Sequence, residues 1–408
     1  MPPPLSGIRI IDLGWIIAGP LATRLLADFG AEVIKVESAE RIDVARGNRE
    51  PLYGVLPGDA NTNPDTGGYF HDANAGKCSC TLNLAGDDGR RILRQLVQIS
   101  DAIVCNLGGD QLDRWGIGYE RALELNPGII VVNMPTMESH GPRARWRAFG
   151  DMIAGAAGLK SVSGQSEDPP LPFGHQYPDF SANPRHAALA LVAALYHRDR
   201  TGEGQFIEVS QYESTIALLG PSILEFTANG HVPTRPGNRD PDAVPHNLYR
   251  CRGEESWCAI SIFTDQQWQA LISTDALGSL RRPELATLAG RRRCEAEIDD
   301  AVESWTIIWD RQELAAFLQA RGIPAGPLQS IAEIVEVDPV LGDRYFTRIA
   351  HPAGREFLVH GNPVQLWGNP ADVRRAPMLG EHTADVLGEL LGMSRDEIAE
   401  YAARGAIA

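Results

Sequence analysis

The chain has 408 residues, 43% hydrophobic and 22% charged, an ordinary globular balance in a length that exceeds what one core usually fills. A formal net charge of −16 argues against nucleic acid or an anionic membrane as partner, because the long-range field repels phosphates, while leaving room for a local basic pocket. No apolar run approaches the roughly 20 residues of a membrane helix, and Met1-Pro2-Pro3-Pro4-Leu5-Ser6 lacks the basic start and apolar core of a signal peptide, so a soluble, cytoplasmic protein is expected.

In chain order, Gly7–Leu13 is rich in β-branched residues and predicts a buried strand. Pro20 suits the first turn of a helix, and Leu21, Leu25, Leu26 and Phe29 recur at helical spacing up to a stop at Gly30. Glu32–Glu37 is the next strand, completing a βαβ unit and so a parallel sheet with a right-handed crossover. The alternation continues through a helix over 87–100, a strand over 102–105, a short helix over 120–125, a strand over 129–133, a helix over 185–197 and a strand over 205–209. The pattern predicts a large, doubly wound, Rossmann-like α/β domain. After Gly230 a stretch rich in Pro, Gly, Asn and Asp leads to a hairpin of Asn247–Arg250 and Trp257–Ile262 and helices over 266–272, 295–307 and 311–320. These form a smaller α+β domain, placed at 226–334. Helices over 383–391 and 395–403 return to the large domain, assigned to 1–225 and 335–408.

Three stretches carry candidate chemistry. The turn Ile16-Ile17-Ala18-Gly19-Pro20 lies at the carboxyl end of the first strand, where open α/β sheets bind ligands and helix N-termini offer free N–H groups. Gly14 to Gly19 lacks the GxGxxG spacing, which speaks against a dinucleotide. Lys77, Arg114 and Arg147 sit in polar turns after successive strands. Each alone reads as a solvated surface charge, but together they outline a phosphate pocket suited to coenzyme A, with Trp115 either packing on adenine or lying in the core. In Gly174–Asn183, Pro178 fixes the backbone before Asp179 and a helix follows. A carboxylate there is kept ionised by the helix dipole, as a nucleophile requires, or merely caps the helix. His175 either polarises that site or lines a loop. The six cysteines, at 78, 80, 105, 251, 258 and 294, form neither a CxxC nor a zinc pair and are expected to be reduced structural thiols.

Taken in order, several motifs resemble the family III CoA-transferases, the group of formyl-CoA:oxalate and carnitine CoA-transferases. They are Asp12-Leu13 through Ala18-Gly19-Pro20, Leu25–Glu37, Asn74-Ala75-Gly76-Lys77, Leu112-Asp113-Arg114, Thr201-Gly202-Glu203-Gly204-Gln205 and Ala376–Thr383. The resemblance implies a catalytic nucleophile at Asp179 and coenzyme A contacts at Ile17, Ala18, Lys77, Asn106, Leu107, Arg114 and Arg147. The basic residue that such enzymes carry after the second strand is replaced by Ser38, and Arg41 or Arg46 is expected to substitute. It further implies transfer of coenzyme A, for instance from succinyl-CoA, to a free carboxylic acid through an aspartyl anhydride and an aspartyl-CoA thioester. No metal and no tightly bound cofactor would be needed; coenzyme A enters as part of the substrates. An interlocked dimer, of one chain or with a related one, is implied as well. Arg41–Arg46, with Gly68-Tyr69-Phe70, resembles members acting on aromatic or dicarboxylic acids such as benzylsuccinate. No glycine run of the kind that closes the site in some members is present. A resemblance to α-methylacyl-CoA racemase is weaker, because racemases pair His with Asp in Gly-His-Asp and the stretch here is Phe149-Gly150-Asp151. A non-catalytic subunit of a heteromeric transferase is the remaining alternative.

Overall fold

The computed structural model describes residues 2–47 and 63–407. They fall into two compact units: Met1–Leu159, Pro172–His231 and Val340–Ala408 form the larger, and Lys160–Leu171 with Val232–Pro339 the smaller.

The larger unit is built on six parallel strands, β1 (Arg9–Asp12), β2 (Glu32–Glu37), β3 (Cys78–Thr81), β4 (Ala102–Cys105), β5 (Ile130–Asn133) and β6 (Gln205–Glu208). Their spatial order is β3-β2-β1-β4-β5-β6, so the chain reverses direction of travel between β1 and β4. Side chains alternate cleanly across the sheet. Ile11, Ile34, Ile103 and Val131 face one side, where they meet Ile92, Leu93, Leu96 and Val97 of the helix Asp87–Gln98. Ile10, Val33, Val104, Ile130 and Val132 face the other, against Ala22 and Leu26 of α1 (Ala18–Ala27) and Ala187, Leu191 and Leu195 of α2 (Ala182–Thr201). Both faces being covered explains why the strands read as continuous apolar runs. A hairpin of Phe346–His351 and Arg355–His360, absent from the sequence expectations, completes this unit. No described helix is long and apolar enough to cross a membrane.

The smaller unit has a three-stranded antiparallel sheet of His246–Arg250, Trp257–Ser261 and Ala325–Pro327. Helices Asp265–Ile272, Glu295–Thr306 and Arg311–Gln319 close its core around the fully buried Trp268 and Leu314. All six cysteines are free thiols.

The carboxyl edge of the large sheet holds a set of buried ions. Asp12, Lys35 and Lys77 are fully buried, as is Arg46. Lys77 Nζ donates to Asp12 Oδ2 at 2.7 Å, to Pro20 O at 2.7 Å and to Asn74 Oδ1 at 2.9 Å. Its three hydrogens are thus all taken. Burial pulls its pKa down to about 8 against the opposing charge of Asp12. Burial pushes Asp12 up, and the charges of Lys77 and Lys35 more than reverse it. Replacing Lys77 by Met leaves the Asp12 charge buried with one cation fewer. Urea denaturation followed by tryptophan fluorescence is expected to show a loss of about 3–5 kcal/mol.

Candidate functional site

A cavity of about 1010 Å³ opens on this carboxyl edge. Every strand up to β5 contributes: Leu13 and Trp15 to Ala18 follow β1, Ser38 to Arg41 follow β2, Leu82 to Ala85 follow β3, Asn106 and Leu107 follow β4, and Thr136 follows β5. It therefore sits at the switch between β1 and β4, where doubly wound sheets bind ligands. Four arginines line it, Arg41, Arg90, Arg114 and Arg147, with the carboxylates Glu37, Glu40 and Asp179. Glu37 is neutralised from behind by Arg46, at 2.7 and 2.8 Å. The lining is thus locally cationic in an acidic chain, as a phosphorylated ligand needs.

The turn after β1 is held in an unusual shape. Ile16 has φ of +64°, which a β-branched residue adopts only under constraint. The constraint is visible. Asp43 accepts the Ile16 N–H through both oxygens at 3.2 Å. Asn106 accepts from Trp15 N at 2.8 Å and donates back to Trp15 O at 3.0 Å. Lys35 Nζ donates to Gly14 O at 2.7 Å. These bonds set the N-cap of α1, Ile17, and its first residue, Ala18, on the cavity wall.

Asp179 reaches the cavity from a single helical turn, Tyr177–Phe180, with Pro178 in its first positions. The side chain is only 7% exposed. Gly150 N donates to Oδ2 at 3.1 Å and Asn183 Nδ2 donates to Oδ1 at 3.3 Å. Among the described residues no cation pairs with it. Burial raises its pKa to about 6, and the two hydrogen bonds only partly offset the shift. The expectation is that the dipole of the helix that follows keeps the group ionised; that helix is α2, 20 residues long and starting three positions on, yet desolvation dominates and the pKa rises. The carboxylate is still mostly ionised at pH 7.

Gly150 must be glycine in this arrangement. A Cβ there would stand 2.7 Å from Asp179 Oδ2 and 2.8 Å from its carboxyl carbon.

Eight of the nine residues singled out from sequence line this cavity: Ile17, Ala18, Arg41, Asn106, Leu107, Arg114, Arg147 and Asp179. Lys77 does not. It is buried outside the lining, and its ammonium donates to Asp12, Pro20 and Asn74. Of the two candidates to replace the missing base at Ser38, Arg41 faces the cavity, with its guanidinium 5.2 Å from the Trp15 ring centroid. Arg46 is fully buried against Glu37 and Asp65. His175 is exposed outside the cavity, stacked on Tyr177. Trp115 both lines the cavity and packs on the core. Sequence reasoning missed Gly150, Asn183 and Gln211. Asn183 lies four residues after Asp179 but on the next helix, beyond the non-helical Ser181, so no simple helical spacing announces the contact. Gln211 carries no local signal.

The sequence matches CoA-transferase family III over residues 5–383. The chain belongs to that family. It is 33% identical to the succinyl-CoA:mesaconate CoA-transferase of Haloarcula marismortui, over 94% of this chain and 96% of the relative. It is 29% identical to the succinyl-CoA–D-citramalate CoA-transferase of Chloroflexus aurantiacus, over 100% of this chain and 98% of that one. Among solved structures, a CaiB/BaiF family protein from Brucella suis superposes with a TM-score of 0.85 at 28% identity, covering 96% of this chain and 100% of that one. The enzyme is a CoA-transferase. Gly150→Ala tests the site geometry directly. Steady-state kinetics should show CoA transfer falling by about 10²-fold in kcat as the carboxylate is displaced by a fraction of an ångström or more, with KM for the acyl-CoA changed little.

Proposed function

We propose that this enzyme takes coenzyme A from an acyl-CoA donor, succinyl-CoA foremost, and gives it to a free dicarboxylic acid through covalent intermediates on Asp179. The observation that carries this is a lone carboxylate, desolvated and uncompensated by a cation, at the wall of a cavity lined by arginines. A carboxylate stripped of water and paired with no cation is a better nucleophile than a solvated or ion-paired one. The acids named for the two relatives above, mesaconate and D-citramalate, together with their succinyl-CoA donor, support a dicarboxylate reading.

In this mechanism Asp179 attacks the thioester carbonyl and expels the coenzyme A thiolate, leaving a mixed anhydride. The thiolate attacks the aspartyl carbonyl, freeing the donor acid and leaving an aspartyl-CoA thioester. The acceptor acid repeats the two steps in reverse. One thioester replaces another, so neither ATP nor metal nor a resident cofactor is required. Ile17 and Ala18 offer backbone N–H groups at the start of α1, Arg41, Arg114 and Arg147 offer charge for the phosphates, and Leu107 gives an apolar contact. Arg114 already pairs with Asp110 at 2.9 Å, an exposed pair that a phosphate displaces at little cost. The enzyme is expected to act in the cytoplasm as a dimer; Leu189, Val192 and Tyr196 make an exposed apolar stripe along α2 that a second chain would cover.

Mass spectrometry of the protein mixed with succinyl-CoA, acetyl-CoA and a panel of acids, with hydroxylamine trapping, tests the reading. An adduct on Asp179 is expected, and Asp179→Asn should lower thioester exchange by roughly 10³-fold or more. Undiminished exchange in that variant overturns the proposal.

The pH profile follows from the same carboxylate. Its reactive form is ionised, and its pKa is raised to about 6, so activity is present above that value and lost as pH falls through it. The logarithm of kcat/KM is expected to be flat near pH 7–8 and to drop about tenfold per unit below about 6.

A further inference from the structure

The two oxygens of Asp179 sit in different surroundings. Oδ2 accepts a backbone N–H from Gly150, a donor fixed by the chain and packed so tightly that a Cβ would collide with the carboxylate. Oδ1 accepts a side-chain amide, Asn183 Nδ2, at the longer distance of 3.3 Å. That amide is part of a chain whose polarity is fixed at its far end. Met134 O can only accept, so Gln211 must turn its Nε2 toward it, at 2.9 Å. Gln211 Oε1 is then left to accept from Asn183 Nδ2, at 3.3 Å. Asn183 therefore presents its NH2 group, not its carbonyl, to Asp179. Asn183 is fully buried and its own Oδ1 has no hydrogen-bond partner, so the amide is oriented by the two acceptors its NH2 faces, the Asp179 carboxylate and Gln211 Oε1, and the relay holds it there independently of the carboxylate's own state.

We infer that the two oxygens have separate and lasting roles: Oδ2 remains the carbonyl oxygen of every aspartyl intermediate, and Oδ1 is the oxygen exchanged with the substrates. Gln211 and Asn183 are positioning residues that keep the carboxylate from turning over between cycles. The inference rests on the aspartyl-intermediate reading above.

The atoms balance as follows. Oδ1 bonds to the donor acyl carbon and the C–S bond breaks, its electron pair leaving on the thiolate. The thiolate adds to Cγ, negative charge collects on Oδ2 beside the Gly150 N–H, and collapse breaks the Cγ–Oδ1 bond. Oδ1 departs within the freed donor carboxylate. An oxygen of the acceptor carboxylate then adds to Cγ, the charge collects on Oδ2 again, and the thiolate leaves. When the thiolate takes the acceptor acyl carbon, the acceptor's oxygen stays behind on Cγ in the place of Oδ1. No proton, oxidant or reductant enters.

The test uses the intact enzyme with succinyl-CoA and excess succinate carrying oxygen-18 in both carboxylates, plus carbon-13 to count exchange into the thioester. After many turnovers the peptide containing Asp179 is weighed. One heavy oxygen, and no second, is expected. Two heavy oxygens overturn the separate roles while leaving the aspartyl intermediates standing. Exchange into succinyl-CoA with no heavy oxygen on Asp179 overturns the covalent reading itself, and this inference with it. In Asn183→Ala, and in Gln211→Met as a second route to the same break, exchange slows and the second heavy oxygen appears; a plateau at one in both removes the relay from the explanation. A residue that only supported the fold would change the rate and not the label count.

Discussion

Everything at this site turns on a carboxylate taken out of water with no cation to receive it. The same sheet edge shows the alternative. Asp12, a few residues from the cavity wall, is more deeply buried than Asp179, yet Lys77 and Lys35 hold its pKa below the ordinary value. Asp43 meets Lys35 and Glu37 meets Arg46 in the same way. Asp179 has only a backbone N–H and an amide, and its pKa rises. Opposite charge stabilises a carboxylate by the same interaction that makes it a poor nucleophile. Along this edge the buried Asp12, Asp43 and Glu37 each meet a cation, and among the described residues the buried Asp179 does not.

The paired acids are not idle in this scheme. Asp43 holds the Ile16 N–H, and Lys35 holds the carbonyl of Gly14 from the other side. Between them they keep Ile16 at a positive φ, which costs on the order of 1–3 kcal/mol and persists only where surroundings over-determine it. The result is a turn whose own N–H groups are consumed in holding its shape and which sets Ile17 and Ala18, at the start of α1, on the cavity wall. Burial of these ions is therefore tied to function through geometry, not through chemistry of their own.

How much of this the sequence carried depends on the range of the signal. Strand and helix alternation is local and periodic; the four-residue β3 was given no range among the predicted strands, but β1, β2, β4, β5 and β6 were legible, as was the hairpin around Gly253. The hairpin of Phe346–His351 and Arg355–His360 was not, because its strands lack the apolar alternation that marks a half-buried face. At the site, motif resemblance placed Asp179 and seven of its eight companions on the cavity. It misplaced Lys77, since a lysine in a polar turn looks the same whether its ammonium faces a ligand or turns inward. What turned it inward is Asp12, 65 positions away, and no local pattern reports that pairing. The expected ionising effect of a helix dipole failed for a related reason: sequence shows that a helix starts near Asp179, and burial is set by segments far along the chain.

Position 150 acts on the same carboxylate through the side chain it lacks. Asp179 Oδ2 and the backbone N of Gly150 are 3.1 Å apart, and the space a Cβ would need is filled by the carboxylate. A histidine at 150 and this placement of Asp179 exclude each other. A side chain at this position would push the Asp179 carboxylate away from the backbone donor beside it. In this chain the bare backbone at position 150, rather than any further acid or base, is what lets the Asp179 carboxylate sit against a main-chain donor.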